Sequence, residues 1–273
     1  MSSHSWDPRE YPTKIRTDPC GVVRHQFLSY RGTWSWAFKA GVVMQSDKPG
    51  IDPQWSSISS LTQDVLNCTH CVLSETRTNA VPGEGSDFPG ILFIGEGPGH
   101  NEDQQGKPFV GRSGALLDEL LALVPLRRED VYITNIVKCR PPDNRDPLPD
   151  EVRACWPYLE AQIQLLKPRV IATLGRHSLM RFFPDARISI SHGQIMNWRD
   201  GIVVFPLYHP AAGLRSTKLK DALKEDILKL PQAMIAALDS ERASQVRLNS
   251  QSDPEPRPEN DSTDHNKGQM GLL

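Results

Sequence analysis

The chain has 273 residues, 23% charged and 38% hydrophobic, with 31 basic side chains against 33 acidic ones. That size fits one sizeable globular domain with irregular ends, and a net charge of −2 excludes binding to nucleic acid by bulk positive charge, though not through a local basic patch. No run of 18 apolar residues exists and MSSHSWDPREYPTK carries no apolar signal core, so a soluble cytoplasmic protein without a membrane segment is expected.

Residues 1–58 are rich in Ser, Pro, Gly and Trp, with no sustained period, and read as an irregular extension. Four of the six tryptophans lie there (Trp6, Trp34, Trp36, Trp55), which suits a segment that packs on the core, an extra module, or an unusual translation start. From 59 to 238 the pattern is regular. Strand-like runs are ILFIG (91–95), VYITNIV (131–137), VIATLG (170–175) and IVVFPL (202–207). Helical patterns occupy 113–124, 149–166, 177–183 and 217–238, the last with a kink expected at Pro231. Residues 239–273 are polar, contain proline and read as a disordered tail.

Strands alternating with helices predict a parallel sheet covered on both faces. Sites in such sheets form at the carboxyl ends of the strands. The tails to inspect are therefore GEGPG, TNIVKC, GRHS and YHPAAGLR. The basic residues between Arg215 and Lys229 are interleaved with Asp221, Glu225 and Asp226 and read as a solvated helix face.

The cysteines are spaced in a telling way. Cys68 and Cys71 form C-x2-C before the first strand, Cys139 follows the second strand, and Cys155 lies in the second helix. Such a pair usually binds metal or does redox chemistry. Four thiolates can hold Zn²⁺ or an iron–sulfur cluster, and the spacing alone leaves both open. Cys20 stands apart in the extension.

The turn GEGPG after ILFIG could cradle a phosphate. The dinucleotide fingerprint needs G-x-G-x-x-G opening straight into a helix. Here Gly95, Gly97 and Gly99 have the wrong spacing, and the first helical pattern starts only near Ser113.

GEGPGHNED, GKPFVGRSG, VYITNIVKCRPPDNRDPLPDE and YHPAAGLR, in this order, resemble the type-4 uracil-DNA glycosylases. The resemblance covers about residues 60–238. It implies an α/β fold, a three-layer α/β/α sandwich with a four-stranded, mainly parallel central sheet. It implies a structural [4Fe–4S] cluster on Cys68, Cys71, Cys139 and Cys155. It implies a hydrolase that flips uracil out of single- or double-stranded DNA and cuts the N-glycosidic bond, leaving an abasic site for base-excision repair. A monomer working at the nucleoid follows from the same resemblance.

The chemistry suits the residues that match. Phe109 is the candidate for stacking the base. Asn135 is the candidate reader: an amide accepts from uracil N3–H and donates to O4, whereas cytosine presents the opposite pattern. His209 is the catalytic candidate, a donor aimed at O2 where charge develops as the bond breaks. The better-known family-1 enzymes place an Asp in the glycine turn to activate water. This chain has Gly97 there, as type-4 enzymes do, so Glu96 and Glu102 are the available carboxylates. Gly97 and Gly99 let backbone approach the base and offer N–H donors. Leu214 is the candidate wedge for the vacated stack, with Arg215 and Arg112 as DNA contacts, joined by Lys138 and Arg140. Many relatives carry a bulky residue where this chain has Gly213. A related branch that becomes trapped on the abasic sugar has an insert after VK; here VKC runs directly into RPPDNRDP. The non-enzymatic alternative is an iron–sulfur DNA-binding or electron-transfer protein on the same scaffold.

Overall fold

The computed structural model describes residues 54–251. Its centre is a six-stranded sheet in the order β1-β3-β2-β4-β6-β5. The inner strands β2 (Ile91–Gly95), β3 (Tyr132–Asn135), β4 (Val170–Leu174) and β6 (Val203–Leu207) are parallel, and they are the four strands the sequence predicts. The edges β1 (Glu84–Gly85) and β5 (Met196–Asn197) are antiparallel additions. Two residues are too few to leave a period-two signature, so no pattern announced them.

Every residue of the inner strands is buried, which is why they read as continuous apolar runs. Side chains still alternate between faces. Phe93, Ile133, Ala172 and Phe205 pack with helices α4 (Arg112–Ala122), α9 (Thr217–Ile227) and α10 (Leu230–Gln251). Leu92, Tyr132, Ile171 and Val204 pack on the other face, with α1 (Ile58–Asn67) and α5 (Pro149–Leu166). The three layers are therefore those expected. In α4, Leu116, Leu117, Leu120 and Leu121 form the buried stripe that a 3.6-residue period requires.

The shorter helices are α2 (Leu73–Thr76), α3 (His100–Gln105), α6 (Arg176–Phe182), α7 (Ile188–Ser191) and α8 (Pro210–Gly213). The expected helix over 217–238 is two, α9 and α10, divided at Leu228 and Lys229. Pro231 sits in the first turn of α10, where its missing N–H costs little, and marks a start and not a kink. The helix α10 runs on to Gln251, into the stretch expected to be a disordered tail. Its first turns bury Leu230, Ala233 and Ala237, and beyond them Ser, Glu, Arg, Ala and Gln residues permit helix to continue. Glu241 pairs with Arg169 at 3.0 Å and ties it down.

At the other end, Trp55 is buried, packs against Tyr158 with ring centroids 5.3 Å apart and planes tilted by 44°, and donates from Nε1 to Asp64 at 2.6 Å. It is part of the α1–α5 face. The other calls on 1–53, including Cys20, and on 252–273 lie outside the described residues.

The chain leaves β2 for β3 on one side, then crosses back to β4 and β6 on the other. Strand direction of travel thus reverses beside β2. The crevice outside the carboxyl ends of β2, β3, β4 and β6 is where this architecture places a ligand.

Candidate active site and cysteine centre

The tails of β2 and β3 stay paired past the strands. Ile136 N–H donates to Gly95 O at 3.0 Å and Val137 N–H to Glu96 O at 3.2 Å. This zipper carries Gly95 and Asn135 side by side. A β-carbon on Gly95 would lie 2.3 Å from Asn135 Oδ1 and 2.6 Å from Phe109 Cζ. Only glycine lets those two side chains lean over the same strand end. Asn135 is buried, and its Oδ1 has no hydrogen-bond partner among the described residues. An orphaned buried acceptor costs about 1–3 kcal/mol, so the position calls for a donor from a ligand or a water.

Phe109 stands opposite, and its ring stacks on His209 with centroids 5.7 Å apart and planes inclined by 30°. Its backbone is strained, with φ at +52°. The strain is held from outside: Arg128 Nη2 donates to Pro108 O at 2.6 Å and Nη1 to Phe109 O at 3.1 Å, while the same guanidinium pairs with Glu84 and Asp118. Arg128 lies 19 residues from Phe109 in sequence, and no local signal pointed to it.

His209 caps the short helix α8, with Pro210 at its first position. Its Nδ1 accepts the Ala211 N–H at 3.1 Å, so a neutral ring carries its proton on Nε2. Burial pushes its pKa down to about 4; Glu102 opposes this shift, and His177 and Arg215 add to it. The ring is therefore neutral at pH 7, and a donor through Nε2.

The two glutamates of the opening turn differ. Glu102 is a brace. Its Oε2 accepts Gly99 N–H at 3.1 Å, and its Oε1 accepts both Val110 N–H and Gly111 N–H at 3.0 Å. It binds the glycine turn to the Phe109 loop. It also corrects the reading of that turn. A helix, α3, does open directly after GEGPG, with polar residues HNEDQQ that leave no apolar period. The anion position at its N-terminus is filled by the chain's own carboxylate. Gly99 N–H is spent on Glu102 and is not available to a base. Gly97 is required for a different reason as well: a β-carbon there would meet Val137 Cγ2 at 2.8 Å.

Glu96 faces a polar cluster instead. Its Oε2 lies 3.8 Å from His177 Nε2, which is 3.2 Å from Asp146 Oδ2, and Arg176 Nη2 reaches the same oxygen at 2.7 Å. Burial, then the Asp146 carboxylate, push the Glu96 pKa up to about 7, with Arg176 opposing. His177 is made less basic, first by burial. Glu96, Asp146 and His177 present ligand atoms within 4.8 Å of one another, and Arg176 supplies the positive charge such a group calls for. Glu96 also lines a small open cleft with Gly97, Pro98, Gly99, Pro141, Asn144 and Arg145. Asp146 and His177 were not singled out in the sequence, because they come from segments 31 residues apart that meet only through the sheet.

On the outer rim, Leu214 at the end of α8 is 37% exposed, and Arg215 and Arg112 are exposed. Gly213 is not a truncated wedge. A β-carbon there would lie 2.9 Å from Leu223 Cδ1 and 3.1 Å from Leu116 Cδ2, so the position faces inward and seats α8 on α4 and α9. Arg140 bonds Asn144 and approaches His100 Nδ1 at 3.4 Å. Lys138 departs from expectation. It is 1% exposed, so it is no part of a DNA-facing surface.

Cys68, Cys71, Cys139 and Cys155 converge from the end of α1, the loop before α2, the exit of β3 and the middle of α5. They line one cavity together with Val65, His70, Ser74, Lys138, Ala154 and Tyr158. Among the described residues no three of their sulfurs lie within 4.8 Å of one another. Cys139 Sγ accepts from Arg77 Nη1 at 2.9 Å and Cys155 Sγ from Lys138 N–H at 3.3 Å. Burial pushes the Cys155 thiol up to about 12 and raises Cys139 and Cys71.

The uracil DNA glycosylase superfamily model matches residues 82–230, more than half of the chain. The chain belongs to this superfamily. Within the superfamily it is similar to the type-4 uracil-DNA glycosylase of Sulfurisphaera tokodaii, at 45% identity over 188 residues, covering 66% of this chain and 86% of that protein. The type-4 enzyme of Saccharolobus solfataricus is 46% identical over 187 residues, 65% of this chain and 87% of its own length. That of Thermotoga maritima is 47% identical over 173 residues, 62% and 90% respectively. The chain is thus a type-4 member, and the superfamily match spans all four inner strands of the sheet. No helix of the described residues is long and apolar enough to cross a membrane.

Proposed function

We propose that the chain is a uracil-DNA glycosylase that removes uracil from DNA by hydrolysis and leaves an abasic site. The observation that carries this reading is the orphaned Asn135 Oδ1, buried beside Phe109 at the one strand end made bare by Gly95. A base inside a duplex cannot reach such a pocket, so it must be flipped out, at a cost of a few kcal/mol. Uracil N3–H satisfies the orphaned oxygen, and the Asn135 amide N–H can turn to O4. Cytosine has a bare N3 and an amine at C4, and would leave both groups facing like partners.

Phe109 stacks the base. As the N-glycosidic bond lengthens, the sugar gains positive charge and uracil O2 gains negative charge. His209 Nε2–H stabilises that charge without transferring a proton, which a ring neutral at pH 7 is suited to do. Glu96 positions water for attack on the sugar carbon. Glu102 holds the walls of the pocket through its three backbone hydrogen bonds, which occupy most of its acceptor sites. Leu214 fills the gap left in the stack, with Arg215 and Arg112 on the backbone.

The four thiolates would hold a [4Fe–4S] cluster. A single Zn²⁺, with Zn–S near 2.3 Å, draws its ligands to within about 4 Å of one another, closer together than any three of these sulfurs stand. Once bound, the cluster supplies a covalent tie between α1, the α2 loop, β3 and α5. The enzyme works as a monomer on single- or double-stranded DNA, in the cytoplasm at the nucleoid.

The test is the base preference of Asn135→Asp. A carboxylate faces the cytosine amine with an acceptor, so cytosine release from oligonucleotides should appear as uracil release falls. Retention of full uracil activity in Asn135→Asp would remove the amide from its assigned role.

A further inference from the structure

Lys138 is fully buried next to the cysteine cavity, yet no carboxylate pairs with it. Its three ammonium hydrogens go to neutral acceptors: Gln162 Oε1 at 2.6 Å, Thr134 Oγ1 at 2.7 Å and the main-chain carbonyl of Asn135 at 2.7 Å. Among the described residues no acidic side chain lies within ion-pair reach of it. An isolated buried charge is costly unless something offsets it. The groups nearby that could carry negative charge are the sulfurs of Cys155 and Cys139, which line the same cavity as Lys138. Its own backbone N–H also donates to Cys155 Sγ, at 3.3 Å.

We propose that Lys138 joins the cysteine centre to the base pocket, as the buried counter-charge of the anionic cluster and the clamp that holds the Asn135 backbone. This rests on the iron–sulfur reading above. Four thiolates around a [4Fe–4S] core leave a net negative charge, and one ammonium in a dry site next to it neutralises part of that charge. The same ammonium grips the carbonyl of the residue that reads the base. Lys138 touches no substrate; it is a positioning residue. It explains why a lysine, and not an apolar residue, fills this interior position.

Two variants of the purified, iron-loaded full chain separate the parts of the claim. Net charge near a cluster sets its reduction potential. Lys138→Met removes the positive charge at similar length, so the midpoint potential should fall, and inhibition by free uracil should weaken because the Asn135 carbonyl is released. Gln162→Glu keeps the lysine on that carbonyl but gives it a carboxylate. Its potential should also fall, with uracil inhibition unchanged. Potentials equal to wild type in iron-loaded Lys138→Met and Gln162→Glu would overturn the counter-charge assignment. Uracil inhibition unchanged in Lys138→Met would overturn the clamp. Should Lys138→Met fail to retain iron, Gln162→Glu decides the charge question alone. Wild-type protein without iron would instead sink the cluster reading, before any potential is measured.

Discussion

At the scale of single residues, the two glutamates carry opposite physics and should be separable by experiment. Glu96 is crowded by Asp146 and partly stripped of water, so its charge is a burden to the fold. Glu96→Gln should leave the melting temperature equal or higher while turnover collapses. Glu102 offers its carboxylate to three backbone donors, each bond worth about 1.5–3 kcal/mol when the acceptor is charged. Glu102→Ala should melt several degrees lower and bind uracil more weakly. If Glu102→Ala kept its stability and lost only turnover, the water would belong to Glu102.

The same residues set a pH profile. Glu96 has its pKa raised to about 7, so its carboxylate form fades as pH falls through 7. His209 has its pKa lowered to about 4, so it stays neutral across that window and does not shape the limb. Single-turnover rates should rise with pH through about 7, and Glu96→Gln should flatten the rise. A limb that persists in Glu96→Gln would assign the titration to another group.

At the scale of elements, the site is made by short pieces resting on long ones. The helix α8 has four residues, yet it aims His209 inward from its N-cap and Leu214 outward from its C-terminus. Leu214→Ala removes the side chain that would occupy the emptied stack. Uracil release should fall more on double-stranded than on single-stranded substrate, because only the duplex has a stack to refill. Equal loss on both would make Leu214 a packing residue. The Phe109 loop has a comparable dependence on Arg128, whose fork holds two carbonyls of a strained turn.

These short elements also mark where sequence reasoning ran short. Long buried strands and the Leu stripe of α4 declare themselves by period. The helix α3 does not, because HNEDQQ has no apolar face and its fold is fixed by Glu102 from within. In the sequence Lys138 reads as surface, because charge is visible there and burial is not. Its acceptors Thr134, Asn135 and Gln162 reach it from β3 and α5, and only the packed sheet brings them together. Asn135 and His209 lie in strand tails and Cys68 and Cys71 in a spaced pair, so each draws attention in the sequence, whereas Phe109, Cys139 and Cys155 stand out only through the resemblance to type-4 enzymes.

At the scale of the whole molecule, the four cysteines bring segments from residues 68 to 155 to one cavity, and a cluster bound there would tie them together. Cys155→Ser should lose iron and the broad absorbance near 400 nm characteristic of such clusters, and melt at lower temperature. Loss of activity in that variant should follow loss of fold. A variant that sheds its iron yet keeps both its melting temperature and its rate would show that the centre is not structural.

The central claim is that the tails of four strands form one pocket that holds flipped uracil and cleaves it from its sugar. It is tested most directly by single-turnover uracil release from oligonucleotides with protein in excess, run beside a DNA-binding measurement. Wild-type protein should convert uracil sites to abasic sites, and His209→Ala should be slower by ~10²–10³-fold with DNA affinity retained. No abasic sites from iron-loaded wild-type protein, or equal loss of binding and release in His209→Ala, would contradict it.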